Sequence, residues 1–150
     1  MVADAFSAET SEPVLITGIK SRFGKEEFFT VGASKDSTQN LFSGPIIILV
    51  NGYSASASEI VSGALQDWGR AKVMGQKTFG KGCGQKLVPF SDGSILLLTE
   101  FYYYLPSGRS VHKTGVIPDI LDDSAVTSDD IGNPEKDAVL DKALKQLKEK

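Results

Sequence analysis

The sequence holds one cysteine, Cys83, and one histidine, His112. A single cysteine excludes an internal disulfide framework, and one Cys with one His excludes a Cys/His zinc site, which needs about four ligands. Long hydrophobic runs are also missing. The longest, from Pro45 to Val50, falls far short of the ~20 apolar residues of a membrane-spanning helix. Basic charge is not in excess, and a formal charge of −3 offers no general field for nucleic acid. The opening Met1-Val2-Ala3-Asp4-Ala5-Phe6 has neither a basic n-region nor a long apolar h-region, so it does not read as a signal peptide. That start fits a cytosolic protein or a piece of a longer precursor.

What is present is a globular composition. Hydrophobic residues make up 41% of the 150, enough for one core and too many for a disordered chain. Residues 1–13 read as a short helical start followed by a polar stretch. Val14-Leu15-Ile16 and Glu27 to Val31 read as two strands, with the Phe23-Gly24-Lys25 turn making a hairpin. Residues 32–44 are polar and loop-like. Pro45 to Val50 is a continuous β-branched run, expected to be a strand buried on both faces as in a parallel sheet. A helix is expected from about Ser56 to Trp68, with Ile60, Val61, Ala64, Leu65 and Trp68 on one face and Gly69 as terminator. A strand over Ala71–Met74 completes a strand–helix–strand unit. Leu87–Phe90 and Ile95–Tyr104 read as a second hairpin. Residues 119–132 hold five Asp and no basic residue, which predicts an exposed acidic loop. A tail helix follows, with Asn133 as N-cap and Pro134 at its first position.

Residues 68–113 hold seven Lys/Arg against Asp92 and Glu100. Such a stretch suits either an acidic ligand group or a solvated basic face. The clearest chemical candidate is Asn51-Gly-Tyr-Ser-Ala-Ser-Ala-Ser58-Glu59, where hydroxyl residues crowd a strand-to-helix junction. Free N–H groups and a positive dipole end gather there. A serine in that place is either a cap or a nucleophile, and a nucleophile needs a base. His112 is one candidate base. The other is a lysine, whose pKa must fall from ~10.4 toward ~7–8, as burial among small residues would achieve. Lys81, between Gly80 and Gly82, fits that description. The same segment, Gly75-Gln-Lys-Thr-Phe-Gly80-Lys81, also matches the start of a phosphate loop. Gly82 stands where Ser or Thr should hold Mg²⁺, and the chain continues toward a strand rather than a helix, which argues against nucleotide binding.

Taken together, several ordered blocks resemble one family. They are Gly44-Pro-Ile-Ile-Ile-Leu-Val-Asn-Gly-Tyr-Ser-Ala-Ser-Ala-Ser-Glu-Ile, then Ala64-Leu-Gln-Asp-Trp-Gly-Arg-Ala-Lys-Val-Met-Gly, then Lys77-Thr-Phe-Gly-Lys-Gly. Asp92-Gly-Ser, Tyr104-Leu-Pro-Ser-Gly-Arg-Ser and Gly115-Val-Ile-Pro-Asp119 follow. Over roughly residues 14–121 the chain is similar to the carboxyl-terminal processing proteases, the tail-specific peptidases of family S41. The resemblance implies an α/β fold with a ClpP- or crotonase-like ββα core, flanking β-hairpins and a C-terminal helix. It implies a serine endopeptidase acting near the C-termini of protein substrates through a Ser–Lys dyad. Ser56, at the middle of the Ser-Ala-Ser-Ala-Ser run, would be the nucleophile and Lys81 the general base. Gln85 would orient Lys81, and the Ala57 N–H would be one oxyanion donor. Asp67 matches an acidic position that supports the site in some members; a structural role beside Arg70 is the alternative. Ser54 and Ser58 read as turn and cap residues, and Cys83 as a small filler.

No metal or cofactor is implied. The implied partner is a protein or peptide with an exposed C-terminus, without nucleic acid, and a homo-oligomer is allowed. The implied location is extracytoplasmic: periplasm, cell envelope or thylakoid lumen. Family members also carry an N-terminal helical part, a PDZ domain and a D-L-R-x-N-x-G-G segment that supplies a second oxyanion donor. None is found here, so the chain reads as a single-domain fragment of the catalytic core that folds but is inactive or nearly so. Two rivals differ in class. One is a non-catalytic peptide-binding or scaffold domain of the same fold. The other is an acyl-transfer enzyme of the crotonase type, for which no residue points to an acyl-CoA pocket.

Overall fold

The computed structural model describes residues 14–31 and 42–149. The expected helical start over 1–13, and the polar loop as far as residue 41, lie outside the described residues. The remainder is mixed α/β, with one antiparallel and one parallel sheet. The first hairpin forms as expected: β1 (Val14–Ser21) pairs antiparallel with β2 (Glu26–Val31), Val14 opposite Val31 and Lys20 opposite Glu26. The parallel unit runs β3 (Ile47–Val50), α1 (Ala57–Asp67), β4 (Lys72–Gly75). The second hairpin joins β5 (Cys83–Pro89) to β6 (Ile95–Tyr104). β6 also pairs with β1, giving the sheet order β2-β1-β6-β5, while the short β7 (Ile120–Leu121) extends the other sheet to β3-β4-β7. α2 (Ala138–Lys148) packs on β3 and β4, and α1 packs against both β1 and β4. The central cluster is Val50, Val73, Leu105, Val111 and Val116, all buried, with Ile48 against it.

Four expectations need correction. The run ending at Val50 is not buried on both faces. Among the described residues β3 has one neighbour, β4, and Leu49 is exposed. An edge position leaves a β-branched strand only half covered. In α1 the buried stripe is Glu59, Ser62, Gly63 and Ala64, whereas Val61 is exposed. The reason is close approach. A Cβ on Gly63 would lie 2.4 Å from Leu105 Cδ1, so small residues face the core and the larger apolar ones sit at its margin.

The acidic stretch 119–132 is not wholly an exposed loop. It opens with β7, and Asp122 is buried, bonded to Lys142 and Ser124. Finally, the tail helix is capped by Asp137 rather than Asn133. The Asp137 carboxylate accepts from the Val139 and Leu140 N–H groups, and from that of Gly132. Burial works against its charge, but the three N–H bonds outweigh burial and lower its pKa. An anion at the helix N-terminus also meets the dipole. Asn133 instead closes the preceding turn, its side chain accepting from the Glu135 N–H.

Candidate active site

The junction between β3 and α1 starts with a tight turn. The Tyr53 N–H donates to Asn51 Oδ1, and the Asn51 N–H donates to Ser54 Oγ, so Ser54 is the turn residue expected. Two residues on, Ser56 takes φ 59° and ψ −118°. Positive φ at a non-glycine residue costs about 1–3 kcal/mol and marks a sharp strand-to-helix corner. Ala57 is the first residue of α1, so its N–H has no intrahelical acceptor.

Lys81 arrives from a glycine-rich loop between β4 and β5. The loop is held from two sides. The Phe79 N–H donates to the Ser54 carbonyl at 3.0 Å, and the Lys113 N–H donates to the Gly80 carbonyl at 2.8 Å. A Cβ on Gly82 would lie 2.4 Å from the His112 backbone nitrogen, so the loop passes against residues 111–113 at a distance only glycine permits. Gly80 and Gly82 are buried, whereas the Lys81 side chain is exposed, not set into the interior. Gln85 lies four residues on, in β5, where the pairing register shifts between Gly84 and Gln85. Such an irregularity re-aims a side chain locally.

The residue that joins these two segments is Glu59, and sequence reasoning assigned it nothing. Its side chain is fully buried. Oε2 accepts from the Ser56 N–H at 2.9 Å and from the Lys81 N–H at 2.8 Å. Oε1 accepts from Thr78 Oγ1 at 2.5 Å and from the Gly80 N–H at 2.7 Å. Thr78 Oγ1 in turn accepts from the Val116 N–H at 2.7 Å. One oxygen atom therefore brings the backbone nitrogens of Ser56 and Lys81 within about 6 Å of each other. The sequence did carry half the signal. Ser56-x-x-Glu59 is the capping-box pattern, which accounts for the Ser56 bond but not for the three donors of the distant loop. The resemblance to a phosphate loop also finds its physical content here. The loop's N–H groups do cradle an anion, and it is the protein's own carboxylate.

The other candidates sit elsewhere. Asp67, at the far end of α1, is about 16 Å from Ser56 along the helix axis. It pairs with Arg109, at 2.8 and 2.9 Å, and accepts from the Ser107 N–H. The partner weighed for it from sequence, Arg70, instead donates to the carbonyls of Gly44 and Phe42. The His112 ring meets Tyr102 edge-on at 4.9 Å, and its Nδ1 is buried without a partner among the described residues. Cys83 is a free, half-buried thiol in β5. A cleft of about 460 Å³ runs along the start of α1 and β3, lined by Ile48, Leu49, Val50, Ala57 and Val61 together with Ser54, Ser58 and Ser62. Among the described residues no cluster of metal-ligating side chains occurs.

A family model described as Peptidase family S41 matches residues 4–121. A carboxy-terminal-processing protease of Bartonella bacilliformis is 53% identical over 77 residues, covering 51% of this chain and 18% of that protein. A CtpA-like serine protease of Staphylococcus aureus strain N315 is 44% identical over 108 residues, covering 72% of this chain and 22% of its own length. The solved photosystem II D1 C-terminal processing protease superposes with a TM-score of 0.62 at 36% identity, covering 81% of this chain and 30% of that one. The chain thus spans about a fifth of the length of the curated relatives it matches.

Proposed function

The chain belongs to peptidase family S41, and on that premise we propose that Ser56 and Lys81 are the nucleophile and general base of a serine endopeptidase that cuts proteins near their C-termini. The observation that carries this reading is the shared carboxylate oxygen of Glu59, which ties the main chains of residues 56 and 81 to one point.

Each part then has a task. Ser56 Oγ attacks the scissile carbonyl while neutral Lys81 accepts its proton. The Ala57 N–H donates to the developing oxyanion. Collapse of the tetrahedral intermediate expels the amine, which takes the proton back from Lys81 and leaves an acyl-enzyme. Water, deprotonated by Lys81, releases the second product. Gln85 orients the lysine from the start of β5. The cleft beside Ala57, whose aliphatic residues Ile48, Leu49, Val50 and Val61 stand among serines, suits a substrate with small or apolar residues next to the cut bond. The place of work is extracytoplasmic.

Lys81 is exposed in these 150 residues, whereas a lysine base needs desolvation. We therefore expect the chain alone to hydrolyse little. The test uses an unfolded protein with an apolar C-terminus and the full-length gene product, with Ser56→Ala and Lys81→Ala beside it and the 150-residue chain as a fourth sample. Cleavage lost in both variants supports the dyad. Cleavage that survives Ser56→Ala overturns it, and a wild type that binds the substrate without cutting it favours a scaffold role.

A further inference from the structure

We propose that Phe79 is a specificity-determining residue of the peptidase, whose exposed ring receives an apolar side chain of the substrate just after the cut bond. The inference rests on the reading of Ser56 and Lys81 given above.

Residues 77–82 alternate in burial. Thr78, Gly80 and Gly82 are buried, whereas Lys77, Phe79 and Lys81 are exposed. Phe79 and Lys81 therefore project from the same side of the loop, with their Cα atoms within about 7 Å of each other. The main chain under the ring is held at each step. The Thr78 N–H donates to the Val116 carbonyl at 3.1 Å, the Phe79 N–H to the Ser54 carbonyl at 3.0 Å, and the Gly80 N–H to Glu59 Oε1 at 2.7 Å. Ser54 stands two residues before the nucleophile and lines the cleft at the start of α1. The ring is thus rooted between the nucleophile turn and the base, yet it is 67% exposed and meets no other ring among the described residues. A phenyl ring on a fixed main chain is contact area that costs little to order, because only two side-chain torsions are lost.

The chemistry decides which part of the substrate comes there. The base returns its proton to the departing amine, so that nitrogen must come within hydrogen-bond reach of Lys81 Nζ. The peptide beyond the cut bond therefore leaves past Lys81, whereas the carbonyl side faces the Ala57 N–H and the cleft at the start of α1. Phe79 shares the Lys81 side. Its ring offers the first residue after the cut bond an apolar surface, so a leucine there gains contact that a serine does not. Pockets discriminate one small apolar group by about 10- to 200-fold, and a single wall belongs at the lower end, roughly tenfold.

The full-length enzyme is assayed with two peptides that differ only in the first residue after the cut bond, leucine or serine. Mass spectrometry of the products checks that the same bond is cut. The ratio of kcat/KM for leucine over serine should be about tenfold in the wild type and fall to about one- to twofold in Phe79→Ala, while Phe79→Leu keeps most of the preference. A second pair of peptides, varied only before the cut bond, should keep its ratio in Phe79→Ala. A wild type with no preference for leucine after the cut bond overturns the proposal, as does a Phe79→Ala enzyme that keeps the preference. A loss equal for all the peptides also overturns it, because the Lys81 loop has then moved as a whole. Thermal unfolding is followed in parallel, and a Phe79→Ala enzyme that does not fold overturns the proposal by placing the ring in the core of the full-length protein. Ser56→Ala is run alongside. Cleavage that survives it refutes the dyad, and this proposal with it, whereas cleavage lost there with an unchanged leucine-to-serine ratio in Phe79→Ala refutes only the role of Phe79.

Discussion

The latch between α2 and the parallel sheet makes a quantitative prediction. Asp122 follows β7, and its N–H donates to the Gly75 carbonyl, which fixes it to the end of β4. Its carboxylate accepts from Lys142 Nζ at 2.7 Å and from the Ser124 N–H at 2.9 Å, and Lys142 also reaches Ser124 Oγ. The Lys142 bond, then those of Ser124, hold the Asp122 carboxyl down to about 2 against an ordinary value of 3.8. The difference corresponds to roughly 2 kcal/mol at neutral pH. The Asp122 side chain is 6% exposed but that of Lys142 is 51% exposed. Solvent screening of the lysine therefore brings the expected contribution to about 1–2 kcal/mol.

The sign follows from the direction of the shift. The folded carboxyl has the lower pKa, so its contribution is complete above the ordinary value of 3.8 and disappears as pH falls through about 2. Lys142→Met removes the charge and keeps most of the apolar stem. Urea unfolding should show it about 1–2 kcal/mol less stable than wild type at pH 7, with an unchanged m-value. The gap should narrow as pH falls below 3.8 toward 2. Asp122→Asn combined with Lys142→Met should show a coupling energy of the same size. A gap that stays constant from pH 7 down to the acid limit would refute the electrostatic account and leave only packing.

Other perturbations probe other joints. Gly82→Ala drives a Cβ into the His112 backbone, so unfolding experiments should show a loss of about 1–3 kcal/mol, and kcat should fall as the Lys81 loop is displaced. Asp137→Ala removes the α2 cap; the cost should be about 1 kcal/mol in thermal or urea unfolding. Arg109→Met leaves the nearly buried Asp67 carboxylate with a single backbone donor, and a loss of about 1–3 kcal/mol is expected in the same assays.

Much of the fold could be read from the chain alone, because turn chemistry and hydrophobic period are local. Both hairpins, the strand–helix–strand unit and the bounds of α1 fall within a few residues of expectation. The ordered blocks carrying Ser56 and Lys81 could be read in the same way, as consecutive residues. What the tertiary structure decided is of another kind. Ile95 to Leu98, four consecutive apolar residues, are all exposed, and among the described residues β3 has only one neighbouring strand. Burial depends on which elements lie opposite, and periodicity does not say. The acidic residues show this most plainly. Asp122, Asp137, Asp67 and Glu59 are ordinary carboxylates in the sequence. In the fold Asp122, Asp137 and Glu59 are buried and Asp67 is partly so, and each takes a different set of donors. Those of Glu59 include Gly80 and Lys81, 21 and 22 residues further along. A local pattern could place Glu59 three residues into a helix. Only packing the glycine-rich loop against that helix end could bring four donors to one carboxylate, because hydrogen-bond partners so far apart in sequence meet through the arrangement of the elements between them.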